Sequence, residues 1–365
     1  MADQNVVGVG LVGYGAIGRL HALCFQMLPL AYPDLARHVR IVAVATASRA
    51  SAERAQHELG EHVFTTTDVN ELITHPAVTL VDCCAPTGDH RRIAEATLRA
   101  GKQLFCEKPL TESAAESAAL VALAHAQRQA GGMNYHFRQI PALQEAQQRI
   151  AGGLLGAVRS FHMRYYRASN LRHDRPATWR FVGAGSGVLL DLGSHLIDMT
   201  GYLFGPISRI AARSRTVITE RPGADGTPVA VEGEDIAWLQ LELADGGYGT
   251  IEVSKLVPGA GDDLRIEAYG ANGTMIFDTR DPNGIEVVEG GASRRLATLS
   301  RSRPTAVLPS AETPSATVQW HLASIAGFLA GEPGWPDLVA GLTVDRVIDA
   351  ARRSIQAHGA WMDVI

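Results

Sequence analysis

Apolar runs with no polar alternation occupy residues 6–12, 41–45, 80–84 and 103–106. Strands of this kind are expected where both faces of a parallel sheet are covered. Helical stretches lie between them, for instance 50–59 and 90–100. Another helix opens at Ser113 with Glu116 three residues on, a capping box, and is expected to close at Gly131-Gly132. Strand–helix–strand repetition over residues 1–135 predicts βαβ units in an open, doubly wound parallel sheet. The pattern then changes. After a helix at 142–151, strands dominate: 158–166, 207–219, 236–243, 249–256, 264–270, 274–278 and 285–289. Turn signals such as Asp245-Gly246-Gly247 and Asn272-Gly273 predict a largely antiparallel sheet. Residues 290–317, rich in Ser, Arg, Thr and Pro, are expected as a long surface loop ahead of helices at 318–330 and 344–358. The fold class is α/β: a parallel-sheet domain over 1–135, then an α+β domain over 136–365 with a large, mostly antiparallel open sheet.

Composition narrows the partners. A length of 365 residues suits about two domains. With 46% hydrophobic and 19% charged residues, wholesale disorder is excluded. A net charge of −5 argues against a nucleic-acid or membrane-surface binder. No apolar run approaches the length of a membrane span. The polar, acidic N-terminus lacks the basic region of a secretory signal. Cys24, Cys83, Cys84 and Cys106 form neither a C-x-x-C spacing nor a disulfide framework, so a reducing, cytoplasmic setting is expected.

The first chemical signal is Gly13-Tyr14-Gly15-Ala16-Ile17-Gly18, G-x-G-x-x-G directly after a strand and opening a helix. Gly13 permits the tight turn, Gly15 lets a pyrophosphate approach the backbone, and Gly18 lets helix and strand pack closely. The strand, the helix and the later βαβ units supply the context a dinucleotide site requires. The next strand runs into Thr46-Ala47-Ser48-Arg49, and no acid appears before Glu53. An acid there would favour NAD, whereas Ser48 and Arg49 offer a hydroxyl and a guanidinium to a 2′-phosphate. NADP is therefore the expected cofactor and NAD the alternative; a solvated Arg49 at a helix start is the plainer reading of that residue.

Glu107-Lys108-Pro109 follows the strand ending at Cys106, and strand ends of such a sheet face the ligand crevice. Pro109 holds Lys108 in extended backbone. Only Lys102, Lys108 and Lys255 are lysines, against 30 arginines. A Lys kept at a crevice edge points to a compact donor with a tunable pKa, which guanidinium does not provide. In the second half, Asp191, His195 and Asp198 fall at i, i+4 and i+7, one face of a helix. Carboxylates beside imidazole suit proton transfer. Asp191 as a plain N-cap after the glycines at 183–187 is the structural alternative. No second histidine sits at ligand spacing, so no metal is expected.

Taken in order, G-x-G-x-x-G, E-K-P at 107–109 and D-x-G-x-H-x-x-D at 191–198 resemble the Gfo/Idh/MocA family (glucose–fructose oxidoreductase and inositol dehydrogenase relatives) over essentially the full length. The resemblance implies an N-terminal Rossmann domain and a C-terminal domain with a large open sheet. It implies NAD(P)-dependent oxidation or reduction of a sugar, cyclitol or related secondary alcohol, and assembly as a homodimer or homotetramer through that sheet. Lys108 resembles the active-site lysine that meets nicotinamide ribose and substrate hydroxyl. Asp191 and His195 resemble the substrate-binding and proton-transfer pair. Ala85-Pro86-Thr87, with His90, resembles the loop that passes the nicotinamide, and Glu107 joins the cofactor set. The segment at 136–141 resembles N-Y-R-x-x-P with His136 in place of Asn. Two further departures are the missing acid after the second strand and a longer link at 28–38. Trp179-Arg180-Phe181 and the glycines after it look like members acting on pyranoses or anhydrosugars.

The chemistry expected is hydride transfer at a carbinol carbon. His195 is the favoured acid/base because its ordinary pKa lies near neutrality. Lys108 would stabilise developing alkoxide charge, although which of the two takes the proton is open. Arg164, Tyr166 and Arg180 are expected to line a polyol pocket. A ketoreductase on a nucleotide-linked sugar and a non-enzymatic NADP-binding regulator are the other classes this pattern admits.

Overall fold

The computed structural model describes residues 6–36, 39–297 and 315–365, which divide into two compact units. One takes the chain up to Gln139 together with a helix at 316–330; the other begins at Ile140 and takes the chain's end from Thr343. The first runs β1 (Val7–Val12), α1 (Ala16–Ala31), α2 (Pro33–Ala36), β2 (Val39–Ala45), α3 (Arg49–Leu59), β3 (Phe64–Thr66) and α4 (Val69–Thr74). It continues β4 (Leu80–Cys83), α5 (Thr87–Arg99), β5 (Gln103–Cys106), α6 (Ala114–Gln127) and β6 (Gly131–Met133). All six strands are parallel, in the order β3-β2-β1-β4-β5-β6. The order reverses between β1 and β4, where a doubly wound Rossmann sheet opens its ligand crevice.

Two details differ from expectation. Gly131-Gly132 does not stop α6, which ends in Arg128 at φ 53. The glycines instead begin β6, where a Cβ on Gly132 would lie 2.4 Å from Phe328 and one on Gly131 2.7 Å from Leu338. They serve close approach, which a helix-stop pattern does not distinguish. The long link is the last turn of α1 followed by α2, with residues 37–38 outside the described set.

After a 3₁₀ turn (His136–Gln139), the second unit opens with α7 (Pro141–Ala151), β7 (Val158–Tyr166), a π-turn (Leu189–Gly193), α8 (Ser194–Phe204) and β8 (Ile207–Arg215). A small hairpin, β9 (Glu220–Pro222) and β10 (Pro228–Ala230), follows, then β11 (Ile236–Leu243), β12 (Tyr248–Ser254), β13 (Asp263–Gly270), β14 (Gly273–Asp278), β15 (Gly284–Glu289) and β16 (Ala292–Ala297). After α9 (Ala316–Ala330) and α10 (Leu338–Gln356), β17 (Met362–Asp363) closes the chain. The nine-stranded sheet has the order β16-β15-β14-β13-β7-β12-β11-β8-β17 and is antiparallel except where β7 meets β12. The strand expected to reach 219 stops at Arg215, and the loop expected at 290–317 begins with a strand; its part at 298–314 lies outside the described residues.

α9 carries Leu322, Ile325 and Ala326 into one core with Cys24, Phe25 and Leu28 of α1 and Phe105 of β5. A boundary at 135/136 leaves this helix in the second domain, yet its core lies in the first. Among the described residues no helix is long and apolar enough to cross a membrane.

Candidate active site

The glycine loop joins β1 to α1 as its spacing requires. Gly13 has φ +93, and a Cβ there would meet the Cys84 carbonyl oxygen at 2.6 Å. A Cβ on Gly18 would strike the Gly13 carbonyl oxygen at 1.9 Å, whereas one on Gly15 meets nothing within 4 Å. Gly15 and Ala16 are exposed, Ile17 half-buried. No side chain caps the helix start and no acid stands in its first turn. Open space, unclaimed N–H groups and the positive end of the helix dipole fit a pyrophosphate. The Tyr14 side chain turns away: it is buried with Leu11, Val44 and Ala55, and its hydroxyl donates to Glu58 at 3.0 Å. Burial, then the Glu58 bond, pushes its pKa up to about 12.

At the end of β2, Thr46 is buried and its hydroxyl donates to the Ser48 carbonyl at 2.8 Å. Ser48 caps α3, accepting from the Ser51 N–H at 3.3 Å. Arg49 is exposed and pairs with Glu53 at 2.9 Å. Across the switch point, Ala85 and Pro86 follow β4, and Thr87 starts α5, buried. His90 does not face outward: Nδ1 lies 2.9 Å from the Pro109 carbonyl oxygen and Nε2 2.9 Å from that of Ala85, tying the two strand-end loops together.

Beneath Lys108 lies a closed polar cluster that no motif announced. Glu107 is buried against His21 of α1, whose Nε2 lies 3.2 Å from Glu107 Oε1 and whose Nδ1 lies 2.8 Å from Asp82 Oδ2. Asn134 Nδ2 donates to Glu107 Oε1 at 2.5 Å and lies 2.9 Å from His321 Nδ1 of α9; Ser324 donates to Asn134 Oδ1 at 2.6 Å. His136 stacks on His321 with ring centroids 3.9 Å apart. Burial works against charge on His21, but Asp82 and its neighbours outweigh it and hold the imidazole well above its ordinary pKa. Burial likewise opposes ionisation of Glu107, yet the His21 bond and charge bring it down to about 2. His321 is driven well below its ordinary value by burial and by the His136 and His21 charges. His21, Glu107 and His321 present ligand atoms near enough to share a cation, but the Asn134 amide already lies among them. Lys108 itself is half-buried, its backbone N–H directed to Glu107 Oε2 at 3.3 Å.

In the second unit Asp191 rides the π-turn and is not an N-cap: its carboxylate accepts from Lys255 Nζ. π-turns mark irregular, often functional places in helices. His195 lies in the first turn of α8, buried, its ring edge-on to Tyr165 at 6.4 Å. Asp198, one turn on, is buried as well. Because the π-turn ends at Gly193, Asp191 and His195 stand either side of its join with α8, not on one uninterrupted α-helical face.

α8 covers the face of β7 that bears Phe161, Met163 and Tyr165, through Phe204, Thr200 and His195. Arg164 and Tyr166 alternate to the opposite face, where Arg164 pairs with Asp263 at 3.6 Å and lies over the Tyr166 ring. The structure therefore does not bring these two to Asp191 and His195. The physical reason is the two-residue period of a strand. Arg180 stacks on Trp179 at 4.2 Å in the loop ahead of the π-turn. Lys255 is the functional candidate that sequence reasoning missed. Its signal was present, since the scarcity of lysine that singled out Lys108 applies equally to it.

Residues 7–135 match the sequence profile of an oxidoreductase family with an NAD-binding Rossmann fold, and residues 143–276 match the GFO/IDH/MocA C-terminal domain. The levoglucosan dehydrogenase of Pseudarthrobacter phenanthrenivorans is 30% identical over 310 residues, 80% of this chain and 79% of that one. An inositol 2-dehydrogenase of Rhizobium meliloti is 27% identical over 291 residues, 79% and 81% of the two chains. Among solved structures, a levoglucosan dehydrogenase in complex with NADH and levoglucosan superposes with a TM-score of 0.89 at 26% identity, covering 98% of this chain and 99% of that one. An oxidoreductase domain protein from Kribbella flavida superposes at 0.90, also at 26% identity, with 99% and 100% covered.

Proposed function

The chain belongs to the Gfo/Idh/MocA family and is an NAD(P)-dependent dehydrogenase of it; we propose that it moves a hydride between nicotinamide and a secondary alcohol or ketone of a sugar, anhydrosugar or inositol. The observation carrying this reading is the Asp191 carboxylate, carried on an irregular turn four residues before His195 and partly exposed. Levoglucosan dehydrogenase and the inositol dehydrogenases among its relatives support the substrate class.

Bound NAD(P) supplies the hydride acceptor for oxidation and the donor for reduction. The loop at Gly13–Gly18 and the uncapped start of α1 would hold its pyrophosphate. Lys108 hydrogen-bonds the reacting oxygen and stabilises its developing negative charge. His195 takes the hydroxyl proton during oxidation and returns it during reduction. Asp191 accepts from a substrate hydroxyl and so orients the ring, with Arg180 on the same loop system. His90, Glu107 and His136 support the cofactor-side loops from within the fold.

A ketoreductase on a nucleotide-linked sugar would need arginines for a diphosphate. Here Arg164, Arg167 and Arg172 are paired with Asp263, Asp262 and Asp174. Our reading of the cofactor is NADP(H), supported by the missing acid at the end of β2 and by Arg49, whose exposed pair with Glu53 is readily exchanged. NAD(H) is the second reading, favoured by the NADH in the levoglucosan dehydrogenase structures. We also propose a homodimer or homotetramer through the open sheet, whose outer face exposes Trp238 and Tyr248; a monomer by light scattering would refute that.

The deciding test is a screen of levoglucosan, myo-inositol and scyllo-inositol, with further pyranoses, against both cofactors, read by nicotinamide absorbance. Turnover of at least one polyol is the expected outcome. No turnover with either cofactor in either direction would overturn the reading.

A further inference from the structure

Thirty of the 33 cations in this chain are arginine, so each lysine asks for a reason. Lys102 donates to the His75 carbonyl at 2.9 Å beside α4, a helix-end contact. Lys255, just past β12, has a side chain only 8% exposed and directs its ammonium at Asp191, whose side chain is 31% exposed.

The backbone around Lys255 is tied by hydrogen bonds on both sides. Its N–H donates to the Asp235 carbonyl at 3.1 Å, and its carbonyl accepts from the Asn170 N–H at 3.0 Å. The Asp235 carboxylate accepts from Asn170 Nδ2 and from the Val217 and Ile218 N–H groups, each at 3.0 Å. On the other side, the π-turn is anchored by Glu234, which accepts from the Leu189 N–H at 2.7 Å. Leu189, Leu190, Leu192 and Gly193 are buried; Asp191 alone in that turn is partly open. The pair therefore has a direction, with the ammonium on the protein side and the carboxylate on the accessible side.

Stability does not explain such a pair. A buried ion pair gains little over packed apolar side chains, because desolvation offsets the attraction. Positioning does explain it. An ammonium is compact and fits behind a carboxylate without the planar fork of guanidinium. Held this way, Asp191 stands as a carboxylate, which only accepts hydrogen bonds.

We infer that Lys255 is a positioning and specificity-determining residue of the polyol site. It fixes the Asp191 carboxylate so that only a ligand presenting a free hydroxyl as hydrogen-bond donor at that point is accepted. This rests on the polyol reading above.

The test compares wild type, Lys255→Met, Lys255→Arg, Asp191→Asn and the Lys255→Met/Asp191→Asn double variant, on whichever of levoglucosan, myo-inositol and scyllo-inositol the wild type turns over. For Lys255→Met, kcat/KM should fall about ten- to a hundredfold, the size of one charge-assisted hydrogen bond, mostly through a raised KM for the polyol. NAD(P)H affinity by fluorescence should stay within about twofold, a readout that general loss of structure would move. Lys255→Arg should recover part of the loss. The double variant should be no worse than Asp191→Asn alone, because the two residues act as one unit. Wild-type turnover matched by Lys255→Met, or losses that simply add in the double variant, would overturn the inference while leaving the polyol reading intact. A wild type inactive on every polyol would overturn both.

Discussion

The two units each bury charge, and they do so differently. In the Rossmann unit, His21 lies between the Asp82 and Glu107 carboxylates, with Asn134, Ser324 and His321 completing the set, and every member is buried. In the sheet unit, Lys255 meets Asp191 with one partner buried and the other partly exposed. The closed cluster holds architecture: it joins α1, the ends of β4 and β5, and α9. The half-open pair is the one to which we assign a ligand-orienting role. Burial alone does not separate the two; the asymmetry of burial within the Lys255–Asp191 pair is what sets it apart.

The largest effect expected is on chemistry itself. Lys108→Ala and His195→Ala should each lower kcat about 10²–10⁴-fold while barely changing cofactor affinity. Near-wild-type kcat in either variant would remove that residue from the reaction and leave only the ion pair to define the site.

The contrast between closed and half-open charge can be broken directly. His21→Gln leaves two buried carboxylates without their counter-charge and should cost about 3–5 kcal/mol of stability. Asp191→Asn should cost less: it leaves one ammonium rather than two carboxylates without a counter-charge, the amide oxygen still accepts from Lys255, and that side of the pair already meets water. Denaturant unfolding of both variants checks this, and equal losses would make Asp191 another structural acid. The pH dependence sharpens the same point. His21 is raised in the folded state, so its contribution is complete below its unfolded value near 6.5 and is lost as pH rises through its folded value. Glu107, lowered to about 2 from 4.5, contributes above 4.5 and is lost as pH falls toward 2. Wild type should therefore lose stability on the alkaline side that His21→Gln does not lose; parallel pH curves for the two proteins would contradict the assigned charge.

The smallest effect expected is on cofactor choice. Arg49→Ala should lower kcat/KM with NADP by about tenfold and leave NAD almost unchanged. A wild type preferring NAD, with the variant identical to it, would assign Arg49 to the solvent.

Local and periodic information was enough for much of this molecule. Strand–helix alternation is written in apolar runs, and G-x-G-x-x-G needs only its neighbours to make a turn, so the parallel sheet, its phosphate loop and the strand-end position of Lys108 were all legible in the chain. Long-range partners were not. β6 looked like a helix stop because glycine signals a turn and a close approach with the same residue, and only Phe328 and Leu338 tell them apart. Arg164 and Tyr166 looked like pocket residues because a strand pattern says which side chains share a face, not which face is covered. Lys255 and Asp191 are 64 positions apart, His21 and Asp82 61, and His21 and His321 300. Polar partners across such distances carry no period, so the sequence alone set most of the elements and proposed the reacting groups, whereas tertiary packing decided which charged side chains are buried and that Asp191 keeps part of its carboxylate exposed.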